Sequence, residues 1–143
     1  MSNLIKRKTL DEAEIARECA AIRNLGFEHL LLVTGEHQSK VGMDYFRQHL
    51  PSIRRQFASL HMEVQPLATE EYAELKTLGL DGVMVYQETY HEGMYAQHHL
   101  KGKKQDFFWR LDTPDRLGEA GIDKIGLGAL IGLSDSWRVD CFM

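Results

Sequence analysis

Short apolar runs alternate with mixed apolar and polar stretches along the chain, and three of the runs follow a similar pentapeptide. These are Leu25-Gly26-Phe27-Glu28-His29, Leu78-Gly79-Leu80-Asp81-Gly82 and Ala120-Gly121-Ile122-Asp123-Lys124. Glycine adopts the left-handed conformation that ends many helices, and the apolar residue after it packs back on the helix. Each pentapeptide therefore predicts a helix end followed by a strand.

Four apolar runs predict strands, at Leu30–Thr34, Met62–Gln65, Val83–Gln87 and Ile125–Leu127. Apolar residues on both sides of a strand are typical of buried parallel sheets. Since predicted helices lie between the runs, the alternation indicates an α/β fold with crossover helices. The pattern alone leaves a doubly wound sheet and a barrel segment equally open.

Several helix starts are visible in the sequence. A capping box at Thr9 and Glu12 opens a helix with Ile15 and Cys19 on one face, and Thr69 with two acidic residues opens another. A third helix begins at Asp112-Thr113-Pro114. Proline disfavours helical geometry in the residue before it. Pro51 therefore predicts a turn over residues 44–49 and a helix from 51 to about 57.

Composition bounds the function classes. The 143 residues are 43% hydrophobic and 27% charged, as in one globular domain, and the net charge of −4 is spread over mixed signs. We therefore expect neither nucleic acid nor a membrane surface as a partner. No apolar stretch resembles a membrane helix or signal peptide, so the cytoplasm is the expected compartment. Cys19 and Cys141 have no metal-site spacing and are predicted to be reduced and structural.

Polar and glycine-rich segments follow three of the predicted strands. They are Thr34-Gly35-Glu36-His37, Gln87-Glu88-Thr89-Tyr90-His91 and Gly126 to Asp135. Ligands of parallel α/β folds bind at the carboxyl ends of the strands. The clustering therefore predicts an active-site rim.

Each candidate has a functional and a structural interpretation. Gly35 and Glu36 suit a ligand ammonium group, or form a plain turn with a solvated carboxylate. Glu88 could hold ribose hydroxyls or an amine, or cap the next helix. Arg110 could bind a carboxylate with two hydrogen bonds, or lie at the surface near a helix start.

The other polar motifs give weaker evidence for a functional site. Gly126–Gly132 permits close approach of backbone to a flat ligand, but it lacks the lysine and hydroxyl of a phosphate-binding loop. His91, His98, His99 and Lys101–Lys104 are interpreted as solvated loop residues, and no metal is assigned to them. The residues by themselves thus indicate a ligand-binding α/β segment.

A family resemblance extends over nearly the whole chain. The segments that carry it best are Ile5–Ile15, Val33–His37, Val85–His91 and Arg110–Leu133. At these residues the chain resembles the radical S-adenosylmethionine (SAM) enzymes, and within them the tyrosine lyases (2-iminoacetate synthases) of thiamine biosynthesis. The resemblance implies a partial TIM-type barrel with about four parallel strands, and residues 1–143 as one segment from its centre.

The same resemblance implies roles for the candidate residues. Gly35 and Glu36 would contact the methionine amino group of SAM, and Arg110 would pair with its carboxylate. Glu88 would contact ribose or amine groups. The adenine would lie against the segment containing Ile131, Gly132 and Leu133.

The resemblance also implies a [4Fe–4S] cluster, whose three-cysteine motif, C-x3-C-x2-C, is expected immediately before Met1 and therefore outside this chain. Neither Cys19 nor Cys141 can replace it. The implied reaction cleaves tyrosine to 2-iminoacetate and p-cresol, with a thiazole synthase and a flavodoxin-type reductant as partners. Two alternatives stay open: the related tyrosine lyase of hydrogenase maturation, and a catalytically inactive truncated fragment.

Overall fold

A four-stranded parallel sheet forms the centre of the computed structural model, which describes residues 8–36, 39–135 and 137–142. The strands are β1 (His29–Val33), β2 (Ser59–Glu63), β3 (Gly82–Met84) and β4 (Lys124–Gly126). Each strand pairs in parallel with the one before it, in the order β1-β2-β3-β4. The predicted parallel α/β fold with four strands is confirmed.

Within the described residues, helices precede, connect and follow the strands. They are α1 (Glu12–Asn24), α2 (Met43–Arg54), α3 (Thr69–Thr77), α4 (Glu92–His98), α5 (Phe107–Leu111), α6 (Thr113–Glu119) and α7 (Trp137–Phe142), with one 3-10 turn at Lys103–Gln105. Across the described ranges, no helix has the length and apolar character needed to span a membrane.

The core lies between one face of the sheet and the helices. Leu32, Met62 and Val83 occupy one row across β1 to β3, and the last two are fully buried. Ile15 and Cys19 of α1 are also buried in this core, so the predicted apolar face of α1 is confirmed. The opposite face carries exposed Leu31 and Val33 at β1 and leads to the site described below.

The predicted start of α1 is wrong by two residues. Asp11 is the N-cap, because its side chain accepts a hydrogen bond from the Glu14 backbone N–H at 2.8 Å. The Glu14 carboxylate in turn accepts one from the Asp11 backbone N–H. Asp11 and Glu14 have the same spacing as Thr9 and Glu12, and aspartate is among the best N-cap residues. The capping box exists, but it lies two residues further along the chain than predicted.

The predicted break at Pro51 is also wrong, since α2 runs through it as one helix. Phe46, Leu50 and Ile53 lie on the same face and are almost completely buried. Proline inside a helix removes one hydrogen bond and introduces a clash, at a cost of about 3 kcal/mol. Burial of three large side chains, at roughly 1.5–3 kcal/mol each, outweighs that cost.

Candidate functional site

A cavity of about 460 Å³ lies at the carboxyl ends of the strands. Residues that follow all four strands line it, together with Lys104 and Arg110. Its volume falls within the roughly 300–1,000 Å³ of small-molecule sites. The cavity therefore lies at the edge of the sheet where the polar residues after the strands predict a site.

Glu36 and Arg110 meet in this cavity as an ion pair. Asp106 caps α5 by accepting a hydrogen bond from the Trp109 backbone N–H at 2.9 Å, which places Arg110 in the last turn of this short helix. The Arg110 side chain is only 6% exposed, and its Nη1 donates to the Tyr86 carbonyl oxygen at 3.2 Å. The fold thus joins two residues that are 74 positions apart in sequence.

Three buried polar atoms of cavity-lining residues lack a hydrogen-bond partner within the described parts of the chain. They are Thr34 Oγ1, Gln65 Oε1 and Arg110 Nε. A buried donor without an acceptor is costly, and a bound polar ligand would remove that cost. The arrangement fits a ligand that carries both a positive and a negative group.

Glu88 lines the same cavity through a different set of contacts. Its carboxylate lies 2.9 Å from His99 Nε2 and forms an ion pair with Lys104. Burial acts to raise the pKa of Glu88, but the hydrogen bonds from Lys104 and His99 outweigh burial and leave the pKa lowered. Glu88 is therefore a carboxylate at neutral pH.

The interpretation of His99 and Lys104 as solvated loop residues is wrong. His99 is buried, and both side chains bind Glu88. They lie 11 and 16 residues from Glu88, in a loop whose path no sequence pattern specifies. His98 and Lys103, their sequence neighbours, are exposed as predicted.

The remaining predicted site residues are not among those that line the cavity. Gly35 is exposed, and an added Cβ there would meet no atom within 4 Å. Ile131 is 62% exposed, and Gly132 has a φ of +98°. The cavity wall from the segment after β4 consists of residues 128–130, so contact of Ile131, Gly132 and Leu133 with a ligand stays a prediction.

Asp140 anchors the segment after β3, and no pattern in the sequence predicts this contact. Its Oδ1 accepts hydrogen bonds from Thr89 Oγ1 at 2.9 Å and from the Tyr90 backbone N–H at 2.7 Å. Both Thr89 and Asp140 are buried. The contact ties α7 to the strand end that carries Glu88.

Within the described ranges, no group of histidine, cysteine or acidic side chains could hold a metal ion. Both cysteines are free, with Cys19 in the core as expected. Cys141 is exposed on α7, so its predicted structural role is wrong. This donor set does not fit an iron–sulfur cluster, which needs several thiolates on one loop.

Comparison with known proteins identifies the class of this fold. The family model of the radical SAM superfamily matches residues 2–142. The chain therefore belongs to the radical SAM superfamily, and membership implies SAM and a [4Fe–4S] cluster.

Two curated relatives are 2-iminoacetate synthases. The protein of Salmonella typhimurium strain LT2 is 85% identical over all 143 residues, and that of Escherichia coli K12 is 84% identical over the same length. The chain spans 38% of the length of each relative.

Solved structures show the same fold. The FeFe-hydrogenase maturase HydG of Carboxydothermus hydrogenoformans superposes with a TM-score of 0.89 at 35% identity, over 95% of this chain and 32% of HydG. A second HydG structure gives 0.86 at 30% identity, over 96% of this chain and 32% of that one. Methylornithine synthase (PylB) gives 0.79 at 20% identity, over 96% of this chain and 40% of PylB, and shows the fold alone. The four-stranded sheet is thus a partial barrel of the radical SAM kind.

Proposed function

We propose that this chain forms the cofactor-binding segment of a 2-iminoacetate synthase, the radical SAM lyase that cleaves tyrosine in thiamine biosynthesis. Identity of 84–85% over all 143 residues supports this assignment over hydrogenase maturation, where the identity is 30–35%. Because the chain spans 38% of its relatives, the activity is proposed for an enzyme of their full length, acting in the cytoplasm. Residues 1–143 would be one central segment of its barrel.

The observation that carries the proposal is the Glu36–Arg110 pair in the cavity. The methionine end of SAM has one ammonium and one carboxylate group. On binding, the ammonium would take the place of Arg110 beside Glu36, and Arg110 would turn its hydrogen bonds to the carboxylate. Arg110 Nε, a buried donor without a partner within the described parts of the chain, would then gain an acceptor.

The nucleoside end of SAM would lie along the segments after β3 and β4. Glu88, ionised and at the cavity wall, would accept hydrogen bonds from ribose hydroxyls or hold an amine. Gly35 would permit close approach of the ligand to the backbone after β1. Ile131, Gly132 and Leu133 would pack against the adenine, which would cover the exposed Ile131 side chain.

In an enzyme of full length, bound SAM together with a [4Fe–4S] cluster held by residues other than those described would supply radical chemistry for cleavage of the tyrosine Cα–Cβ bond to 2-iminoacetate and p-cresol. The share of this chain is to orient the cofactor and exclude water around it. The described residues suggest no group for the tyrosine carboxylate or the cluster. A thiazole synthase and a flavodoxin-type reductant are the proposed partners.

A chimera tests this function. Residues 1–143 replace the matching segment of the Salmonella enzyme, and the protein is reconstituted anaerobically with iron and sulfide. It is then incubated with SAM, tyrosine and dithionite, and 5′-deoxyadenosine and p-cresol are measured. We expect both products from the chimera, and loss of both in its Glu36→Gln and Arg110→Met variants.

The chain offers a matched control for these variants. Arg47 and Glu74 form an ion pair of the same type on the outer helices, with Nε 2.5 Å from Oε1. Arg47→Met and Glu74→Gln should leave both products unchanged. Formation of 5′-deoxyadenosine without p-cresol would contradict tyrosine cleavage, and full activity of Arg110→Met would contradict the assigned site.

A further inference from the structure

Glu88 is held in a backbone conformation that side chains rarely adopt. Its φ is +71°, in the left-handed region, and no other non-glycine residue in the described ranges has a positive φ. The backbone is fixed there by pairing with Ala129, and the Leu130 N–H donates to the Glu88 carbonyl oxygen at 2.7 Å. Strained residues of this kind persist where surrounding contacts enforce them, and they are common at ligand sites.

Each carboxylate oxygen of Glu88 receives a different donor. His99 Nε2 lies 2.9 Å from Oε2, and Lys104 Nζ donates to Oε1. A carboxylate offers about four lone-pair sites, so one acceptor site on each oxygen remains. Two neighbouring hydroxyl groups are the matching donors, and a ribose carries such a pair.

His99 stands between two acceptors. Its Nδ1 lies 2.8 Å from the Tyr95 carbonyl oxygen, which can only accept, so Nδ1 carries a hydrogen. Its Nε2 faces Glu88, so one of these two groups must supply the proton between them. The ring is therefore held at both nitrogens, and it fixes the position of Glu88 Oε2.

Tyr95 contacts both residues that bind Glu88. Its ring stacks on His99 with centroids 3.9 Å apart, and its hydroxyl donates to the Lys104 carbonyl oxygen at 2.6 Å. His99 and Lys104, the two residues that bind Glu88, are thus both in contact with Tyr95. The residues from the end of α4 to Lys104 thus bind one carboxylate, that of Glu88, at two points.

We propose that His99 and Lys104 are positioning residues that orient the Glu88 carboxylate to accept hydrogen bonds from both ribose hydroxyls of SAM. This inference rests on the proposed function, since it takes SAM as the ligand of the cavity. It assigns no contact with the ligand to His99 or Lys104 themselves, which act through Glu88.

Binding measurements on the reconstituted chimera test this. Equilibrium dialysis is carried out with SAM and with its 2′,3′-dideoxyribose analogue. Loss of one charge-assisted hydrogen bond corresponds to roughly ten- to hundredfold in affinity. We expect Lys104→Met to weaken SAM binding by at least about tenfold, with little effect on the analogue. Lys104→Arg should restore most of the affinity, and Lys103→Met, an exposed neighbour, should behave as the unmutated protein.

The contribution of His99 is tested with the same two ligands. His99→Leu, which cannot form a hydrogen bond with Glu88, should weaken binding of SAM more than binding of the dideoxy analogue. His98→Leu, at an exposed position, should bind both ligands as the unmutated chimera does. Equal weakening of both ligands by His99→Leu would contradict the role of His99 in orienting Glu88.

The outcomes separate the two proposals. If the unmutated chimera fails to bind SAM, the proposed function is wrong. If the chimera binds SAM and Lys104→Met binds it equally well, the inference alone is wrong. Equal weakening for SAM and the dideoxy analogue would also overturn the inference, since the effect would not pass through the ribose. Thermal unfolding of each variant checks that it is folded, and Lys104→Gln replaces a Lys104→Met protein that is not.

Discussion

Arg116 joins three segments beneath the site, and its replacement should destabilise the fold measurably. Its Nε donates to the Leu67 carbonyl oxygen at 2.9 Å, and its Nη2 donates to Trp109 O at 2.5 Å and to Thr113 Oγ1 at 3.0 Å. The guanidinium carbon lies 3.6 Å from the centre of the Trp109 ring. Arg116 thereby fixes the end of α5, the helix that carries Arg110, against the loop after β2.

The size of the effect follows from these contacts. Arg116→Met leaves the carbonyl oxygen of buried Leu67 without its donor, at a cost of about 1–3 kcal/mol. Loss of the stacking on Trp109 adds roughly 1 kcal/mol. We therefore expect the free energy of unfolding to fall by about 2–4 kcal/mol.

Urea denaturation of the 143-residue chain, followed by far-ultraviolet circular dichroism, measures this change. Arg116→Lys keeps the charge but not the planar fork of donors, so it should recover less than half of the loss. Arg47→Met is the control, because Arg47 pairs at the surface and should contribute only about 0–1 kcal/mol. Full stability of Arg116→Lys would contradict the need for a planar set of donors, since charge alone would then suffice.

Three further predictions concern a helix, the thiols and a carboxylate. Pro51→Ala should stabilise α2 by up to about 3 kcal/mol in urea denaturation, because it restores a backbone donor inside the helix; an unchanged midpoint would contradict this. Burial, with the nearby Glu18 charge, raises the pKa of the Cys19 thiol, so in native protein Ellman's reagent should label exposed Cys141 alone, and Cys141→Ser should abolish that reaction. The lowered pKa of Glu88 contributes stability above its ordinary value of 4.5 that is lost as pH falls through the folded value. The melting temperatures of the unmutated chain and of Glu88→Gln should therefore converge on acidification, and a constant difference would oppose this.

The strands could be predicted because a parallel sheet leaves a clear mark in sequence. Apolar residues must occupy the face under the helices. Glycines with positive φ, Gly26, Gly79 and Gly121, follow the helices that precede β1, β3 and β4. The predicted limits began late at β2 because Ser59 and His61 alternate with Leu60 and Met62. Backbone hydrogen bonding of β2 includes its polar residues, whereas the predicted strand began at an apolar residue, Met62.

The site could be predicted only in part. The polar strand ends were visible, since parallel strands bring their carboxyl ends to one edge. The supports of Glu88 were not, because His99 and Lys104 reach it through a loop with no periodic pattern. The left-handed backbone of Glu88 had no signal either, since glutamate is not a residue that favours it.

The order of strands in the sheet has a consequence for how the chain is made. Since the four described strands pair in chain order, β2, β3 and β4 each find the preceding strand already in place when they leave the ribosome. No strand has to wait for a distant partner, and pairing between close segments is the faster kind. The barrel wall can therefore assemble stepwise during synthesis, one unit at a time.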